Sequence, residues 1–142
     1  MKIINYFLQF AIIATLFCLF KILGLKLSST LGGKLFEMIG PLFRSKKLIH
    51  SNLKKAFPDI NLDSLNKITN LMWNNYGRVF AEYMFIKRFR SDISNRNIVI
   101  EGQEILDDIK TNNKSVVFIS GHLSNFELMA MHIEKSGIKL AA

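Results

Sequence analysis

The chain has 142 residues, 49% of them hydrophobic, with twelve Phe, six Met, a single Cys and a formal charge of +8. That length holds one modest domain, and the lone Cys18 excludes both a disulfide framework and a cysteine metal site. A mean hydropathy of +0.21 fits a membrane-associated chain better than a soluble domain with long polar loops.

The charge is unevenly spread. Residues 21–90 hold 13 Lys or Arg against 4 acids (Glu37, Asp59, Asp63, Glu82), whereas residues 91–142 hold 5 against 7. A basic block of this size is also the footprint of nucleic-acid binding, but no helix-turn-helix, zinc or RNA-motif signature accompanies it, so no nucleic-acid partner is expected. Its position directly after an apolar run favours the cytoplasmic side of a membrane and the anionic lipid head groups there.

That apolar run covers residues 3–20, in which only Asn5, Gln9 and Thr15 are clearly polar and no charge occurs before Lys21. As a helix it is about 27 Å long, enough for a thin bilayer with help from residues 22–25. A signal peptide is the rival reading. Its apolar core is shorter and ends at a small-residue site, and the best candidate here, Ser28 to Thr30, lies well beyond Lys21. The pattern therefore predicts an uncleaved anchor over residues 1–25.

Residues 31–43 are Gly-rich and apolar and end at Gly40 and Pro41, a pair expected to break a helix. A short interfacial helix is predicted before it. Residues 44–57 follow, with Leu48, Leu53 and Phe57 at helical spacing among lysines, and Pro58 stops them. Asp63 or Ser64 is expected to cap a longer helix over about 64–87, its stripe formed by Leu65, Ile68, Met72, Tyr76, Val79, Phe80 and Tyr83. The alternation of apolar and cationic residues over 84–90 reads either as an ordinary basic helix end or as a membrane-surface patch.

Beyond Arg90 the pattern turns to α/β. Residues 97–101 read as a strand, 103–110 as a short amphipathic helix, 111–114 as a turn, and 115–120 as a strand apolar on both faces. A helix over about 125–135 and a further strand from Ile138 complete the reading. The expected fold class is α/β: a transmembrane helix, a helical region over the first part of 26–142, then the first strands of a sheet. About three strands would be present, fewer than most sheets carry, so the sheet reads as truncated.

His122 follows the second strand directly, and Glu127 falls five residues later as the helix opens. The carboxyl end of a strand is where open α/β sheets place their chemistry. Two readings of Glu127 stand. Ser124 and Glu127 fit a capping box, a purely structural role. Alternatively the carboxylate accepts the Nδ1–H of His122, fixing its tautomer while Nε2 removes a proton from an alcohol. Ser120 and Ser124 lack the nucleophile-elbow pattern, no nucleotide-binding glycine motif exists, and His122, Glu127 and His132 lack the spacing of a zinc-helix motif.

Taken together, these residues resemble the N-terminal half of a lipid A biosynthesis acyltransferase, the lauroyl/myristoyl family within the lysophospholipid acyltransferase-like superfamily. Four features carry the likeness across the whole chain: the anchor; Asn52, Leu53, Phe57 and Pro58 in an N-L-x-x-x-F-P segment; Gly77 and Arg78 with Glu82 and Tyr83; and Gly121, His122, Asn125 and Glu127 in a G-H-x-x-N-x-E motif.

The resemblance implies transfer of a fatty acyl group from an acyl carrier protein to a hydroxyl of a Kdo-bearing lipid A precursor, at the cytoplasmic face of the inner membrane. It implies that His122 is the general base, Glu127 its partner and Asn125 a substrate-binding or loop-shaping residue, with no metal or organic cofactor. Family members continue for roughly as many residues again. The alternative reading is a non-catalytic, vestigial membrane-anchored fragment or binding module that retains the motif.

Overall fold

The computed structural model describes residues 2–91 and 97–141; of the expected domain span 26–142, residues 92–96 and 142 lie outside the described residues. The chain divides into two compact units, Met1–Phe85 and Ile86–Ala142.

The first unit is helical. Helix α1 (Lys2–Phe43) is interrupted at Gly24, whose φ of 78° and ψ of 169° take it out of the helical region. An L side chain at that φ would be strained, so a glycine permits the break there. The backbone is repaired locally. The Phe20 carbonyl, just before the break, accepts a 2.6 Å hydrogen bond from Ser28 Oγ in the next segment, and Phe20 itself is 2% exposed.

Gly40 and Pro41, expected to end a helix, instead lie inside α1, which runs on to Phe43. Pro41 falls in the last turn, where little of the hydrogen-bond ladder remains to be lost. Gly40 has a packing role: a Cβ there would overlap the Trp73 ring.

Helix α2 (Lys46–Ala56) starts at Ser45, whose hydroxyl accepts from the Leu48 N–H, and it stops before Pro58. The Ile60 N–H closes a turn on the Phe57 carbonyl, with Pro58 at its second position. Helix α3 (Leu62–Glu82) is capped by Asn61, two or three residues before the expected caps; the Asn61 side chain accepts from the Ser64 N–H at 2.8 Å. A short 3₁₀ turn (Tyr83–Phe85) follows α3.

The buried face of α3 differs from the expected stripe. Leu65, Thr69, Trp73, Gly77 and Ala81 are buried at strict four-residue spacing, while Tyr76 is 57% exposed. The cause is size. The partner face on α1 carries Ser28, Ser29, Gly32, Gly33 and Gly40, and small residues facing one another let two helix backbones approach closely. A Cβ on Gly77 would collide with the Gly32 carbonyl, and one on Gly32 with that of Gly77.

A polar chain runs beside this crossing. Asn74 Nδ2 donates to Glu37 at 2.8 Å, Arg78 Nε donates to Asn74 Oδ1 at 2.6 Å, Arg78 Nη1 donates to Ser29 Oγ at 3.2 Å, and Ser29 Oγ donates to Glu82 at 2.9 Å. Gly77, Arg78 and Glu82, part of the family-like pattern, thus join α3 to α1. Aromatic contacts of Phe80 with Phe17 and Phe36, at 5.1 and 5.5 Å between centroids, extend the same interface.

Among the described residues one helix, α1, is long and apolar enough to cross a membrane, and only 6% of its most apolar 18-residue window is buried. Ile3, Phe7, Phe10 and Ile12 are each at least two-thirds exposed. The exposed stretch is the first part of α1, and by itself it points only weakly to a membrane anchor, while the later part packs on α3.

The second unit holds α4 (Ile86–Arg90), α5 (Gln103–Thr111) and α6 (Glu127–Lys135) around a small core of Phe89, Ile109 and Ile133. The ion pair Arg90–Glu134, 2.5 Å, joins α4 to α6. Helices α5 and α6 lie where the periodicity places them, and Asn113, at a positive φ of 47°, turns the chain after α5.

The expected α/β sheet is not formed. Among the described residues there is no strand, and residues 98–100, 115–123 and 138–141 run without a ladder. A strand satisfies its backbone only through a neighbour. Val99, Val117 and Ile119, which read as part of buried strands, are 80%, 87% and 92% exposed.

Candidate functional site

The site residues lie where the extended segment turns into α6. The Leu123 N–H donates to the Gly121 carbonyl at 2.8 Å, closing a three-residue turn on His122. His122 has no positive φ, which makes this the common, low-strain form of that turn. Ser124 then takes a left-handed φ of 51° and redirects the chain. The Leu128 and Met129 N–H groups bond the Asn125 and Phe126 carbonyls, tightening the first turn of α6.

Glu127 is the first residue of α6, and the cap position falls on Phe126 with no side-chain cap bond. The capping box read from Ser124 and Glu127 would put the cap at Ser124, two residues before this position. A carboxylate at this end of the helix is favoured by the macrodipole.

His122 is exposed and stacked on Phe126, with ring centroids 4.1 Å apart and planes 10° from parallel. The stack on Phe126 fixes the ring plane of an exposed residue. Among the described residues no hydrogen bond or ion pair joins His122 to Glu127, so the turn brings the two into one loop without bonding them. Asn125 is half-buried, and both polar atoms of its side-chain amide are shielded from water without a hydrogen-bond partner. An orphaned buried amide costs about 1–3 kcal/mol, which sets it apart from a residue placed for packing.

Beside the turn, the inner face of α6 walls an apolar cavity of about 400 Å³, lined by Ile100, Ile105, Leu106, Phe118, Leu128 and Ile133, with His132 at its edge. Its size and lining are those of a pocket for a small apolar ligand. The Gln103 side chain fixes the tautomer of His132. Its Nε2 donates to Asp107 at 2.9 Å, so its Oε1 faces His132 Nε2 at 2.6 Å, and that nitrogen must carry the proton. The sequence reading left this pair unassigned, as it did the Phe126 stack. The four-residue spacing from His122 to Phe126 is the only sequence signal for the stack.

What this arrangement offers chemically is an exposed imidazole stacked on Phe126, a carboxylate five residues away and an apolar cavity in the same unit. A family model described as bacterial lipid A biosynthesis acyltransferase matches residues 1–142. No curated protein and no solved structure gave a significant match.

Proposed function

We propose that this chain, which belongs to the bacterial lipid A biosynthesis acyltransferase family, moves a fatty acyl group from an acyl carrier protein thioester to a hydroxyl of a Kdo-bearing lipid A precursor. The observation that carries the reading is the family match over residues 1–142, within which His122 and Glu127 flank the turn into α6. Residues 1–25 serve as the membrane anchor, and the rest of the chain lies on the cytoplasmic face of the inner membrane.

A thioester is already activated, whereas an alcohol is a weak nucleophile at neutral pH, so a positioned base is the missing element. One nitrogen of His122 takes the hydroxyl proton as the oxygen attacks the thioester carbonyl. The C–O bond forms, the C–S bond breaks, and the imidazolium returns its proton to the departing thiolate. Glu127 stabilises the imidazolium. Asn125, with its unpartnered amide, binds substrate or shapes the loop, and no metal or organic cofactor takes part.

The test is acyl transfer by the membrane-embedded chain, with an acyl carrier protein thioester as donor, for the wild type, His122→Ala and Glu127→Gln. Loss of turnover in both variants with membrane insertion intact is the expected result. Near-normal rates in both would overturn the mechanism and leave a non-catalytic membrane module as the better reading.

A further inference from the structure

A second candidate site belongs to the first unit. Lys47, His50, Ser51, Lys54 and Lys55 fall at positions i, i+3, i+4, i+7 and i+8 of α2, which places them on one helical face. The lysines and Ser51 are exposed to solvent. With Leu62 and Leu65 of α3 this face borders an open depression of about 480 Å³.

Three observations speak for an anion there. Helix α2 has no acidic residue, and among the described residues none of these lysines makes an ion pair. Asp59 and Asp63, the nearest carboxylates in sequence, do not line the depression. Lys54 and Lys55 are accounted for by the dipole at the end of α2, but Lys47 lies in its first turn, where the dipole disfavours a cation. Finally, His50 Nε2 is shielded from solvent and has no hydrogen-bond partner. Buried polar atoms are nearly always satisfied, so this one lacks a partner that a ligand would supply.

A phosphate meets all three demands. It carries the charge to balance the lysines, and its several acceptor oxygens suit the Nζ groups, the Ser51 hydroxyl and the His50 ring N–H together. The depression exceeds a bare phosphate in volume, leaving room for the group that bears it against Leu62 and Leu65. We infer that this basic depression between α2 and the start of α3 binds a phosphate group, carried by an anionic lipid head group or by a free phosphate ester. The inference does not depend on the acyl-transfer reading.

The test uses the full chain in uncharged detergent micelles doped with phosphatidic acid, and measures the lipid retained per protein. Lys47→Gln/Lys54→Gln/Lys55→Gln should weaken retention about tenfold or more, as expected for the loss of several charge-assisted contacts. A control with the same charge loss elsewhere in the unit, Lys26→Gln/Lys34→Gln/Lys67→Gln, should change it by less than about twofold. His50→Gln should also weaken retention, with helical content by circular dichroism unchanged in every variant. Equal losses in the two triple variants would overturn the site in favour of diffuse charge attraction. So would equal retention of oleate, which has the charge without the phosphate. Competition by inorganic phosphate assigns the site to the phosphate alone; specific retention of phosphatidic acid without such competition assigns it to the lipid head group.

Discussion

Gly77→Ala probes the close crossing of α1 and α3. The new Cβ would lie inside the van der Waals shell of the Gly32 carbonyl oxygen and 2.8 Å from Phe36 Cβ. Because the obstacle is backbone, no side-chain rotation relieves it, and α1 and α3 must move apart. Overpacking of this kind costs about 1–3 kcal/mol. The movement also stretches the Arg78–Ser29 and Ser29–Glu82 hydrogen bonds, each worth about 1 kcal/mol. Alanine offsets about 1 kcal/mol of this through its helix propensity.

The net expectation is destabilisation by about 2–4 kcal/mol, or a fall of about 10 °C or more in the unfolding temperature. Thermal unfolding in mild detergent reads it, by circular dichroism and by the fluorescence of Trp73, the only tryptophan, which packs on Gly40 in the same interface. Gly24→Ala is the comparison. Nothing lies within 4 Å of its new Cβ and only the positive φ resists it, so it should cost about 1–2 kcal/mol. If Gly77→Ala unfolds at or above the wild-type temperature, the close crossing of α1 and α3 described above is wrong.

Other predictions follow from the second unit and the anchor. His122→Ala should lower acyl transfer by about two to four orders of magnitude, and Glu127→Gln should lower turnover far more than substrate affinity; a loss confined to affinity would remove Glu127 from proton transfer. Asn125→Leu replaces an amide that lacks partners, so thermal unfolding should show stability unchanged or raised by about 1 kcal/mol while transfer falls. A clear drop in stability would mean that the amide is bonded. The Asp108 carboxyl is held below its ordinary value first by the hydrogen bond from Lys114 and then by that from Asn112, and Glu134 by the hydrogen bond and charge of Arg90. Because folding lowers both pKa values, their stabilisation is present above the ordinary carboxylate range and is lost as pH falls through the depressed values. Carboxyl NMR should show Asp108 titrating low, and Lys114→Gln should move it back up. The protein should stay with membranes in alkaline carbonate and high salt, since the exposed apolar half of α1 and not charge holds it there; release by salt would refute the anchor.

Where an element is held by its own neighbours in sequence, the sequence alone located it. Helices α2, α5 and α6 fall at the periodic segments, Pro58 and Asn113 turn the chain after α2 and α5, and the G-H-x-x-N-x-E motif with its companions was sufficient to recognise the family. Each of these rests on hydrogen bonds and side chains a few residues apart, which composition and spacing record directly.

Contacts between distant residues were decided elsewhere. Hydrophobicity selected Tyr76 and Tyr83 for the buried face of α3, but the glycines and serines of α1 admit a close crossing that buries Thr69, Gly77 and Ala81 instead. Gly40 and Pro41 read as a helix break, yet the Trp73 ring requires Gly40, and the break falls at Gly24. Residues 115–120 have the composition of a buried strand but no neighbour to pair with, because a ladder is formed by two segments and one sequence window specifies only half of it. The depression beside α2 and the stack of His122 on Phe126 likewise exist only once the chain has folded, since they depend on which side chains the turns bring face to face.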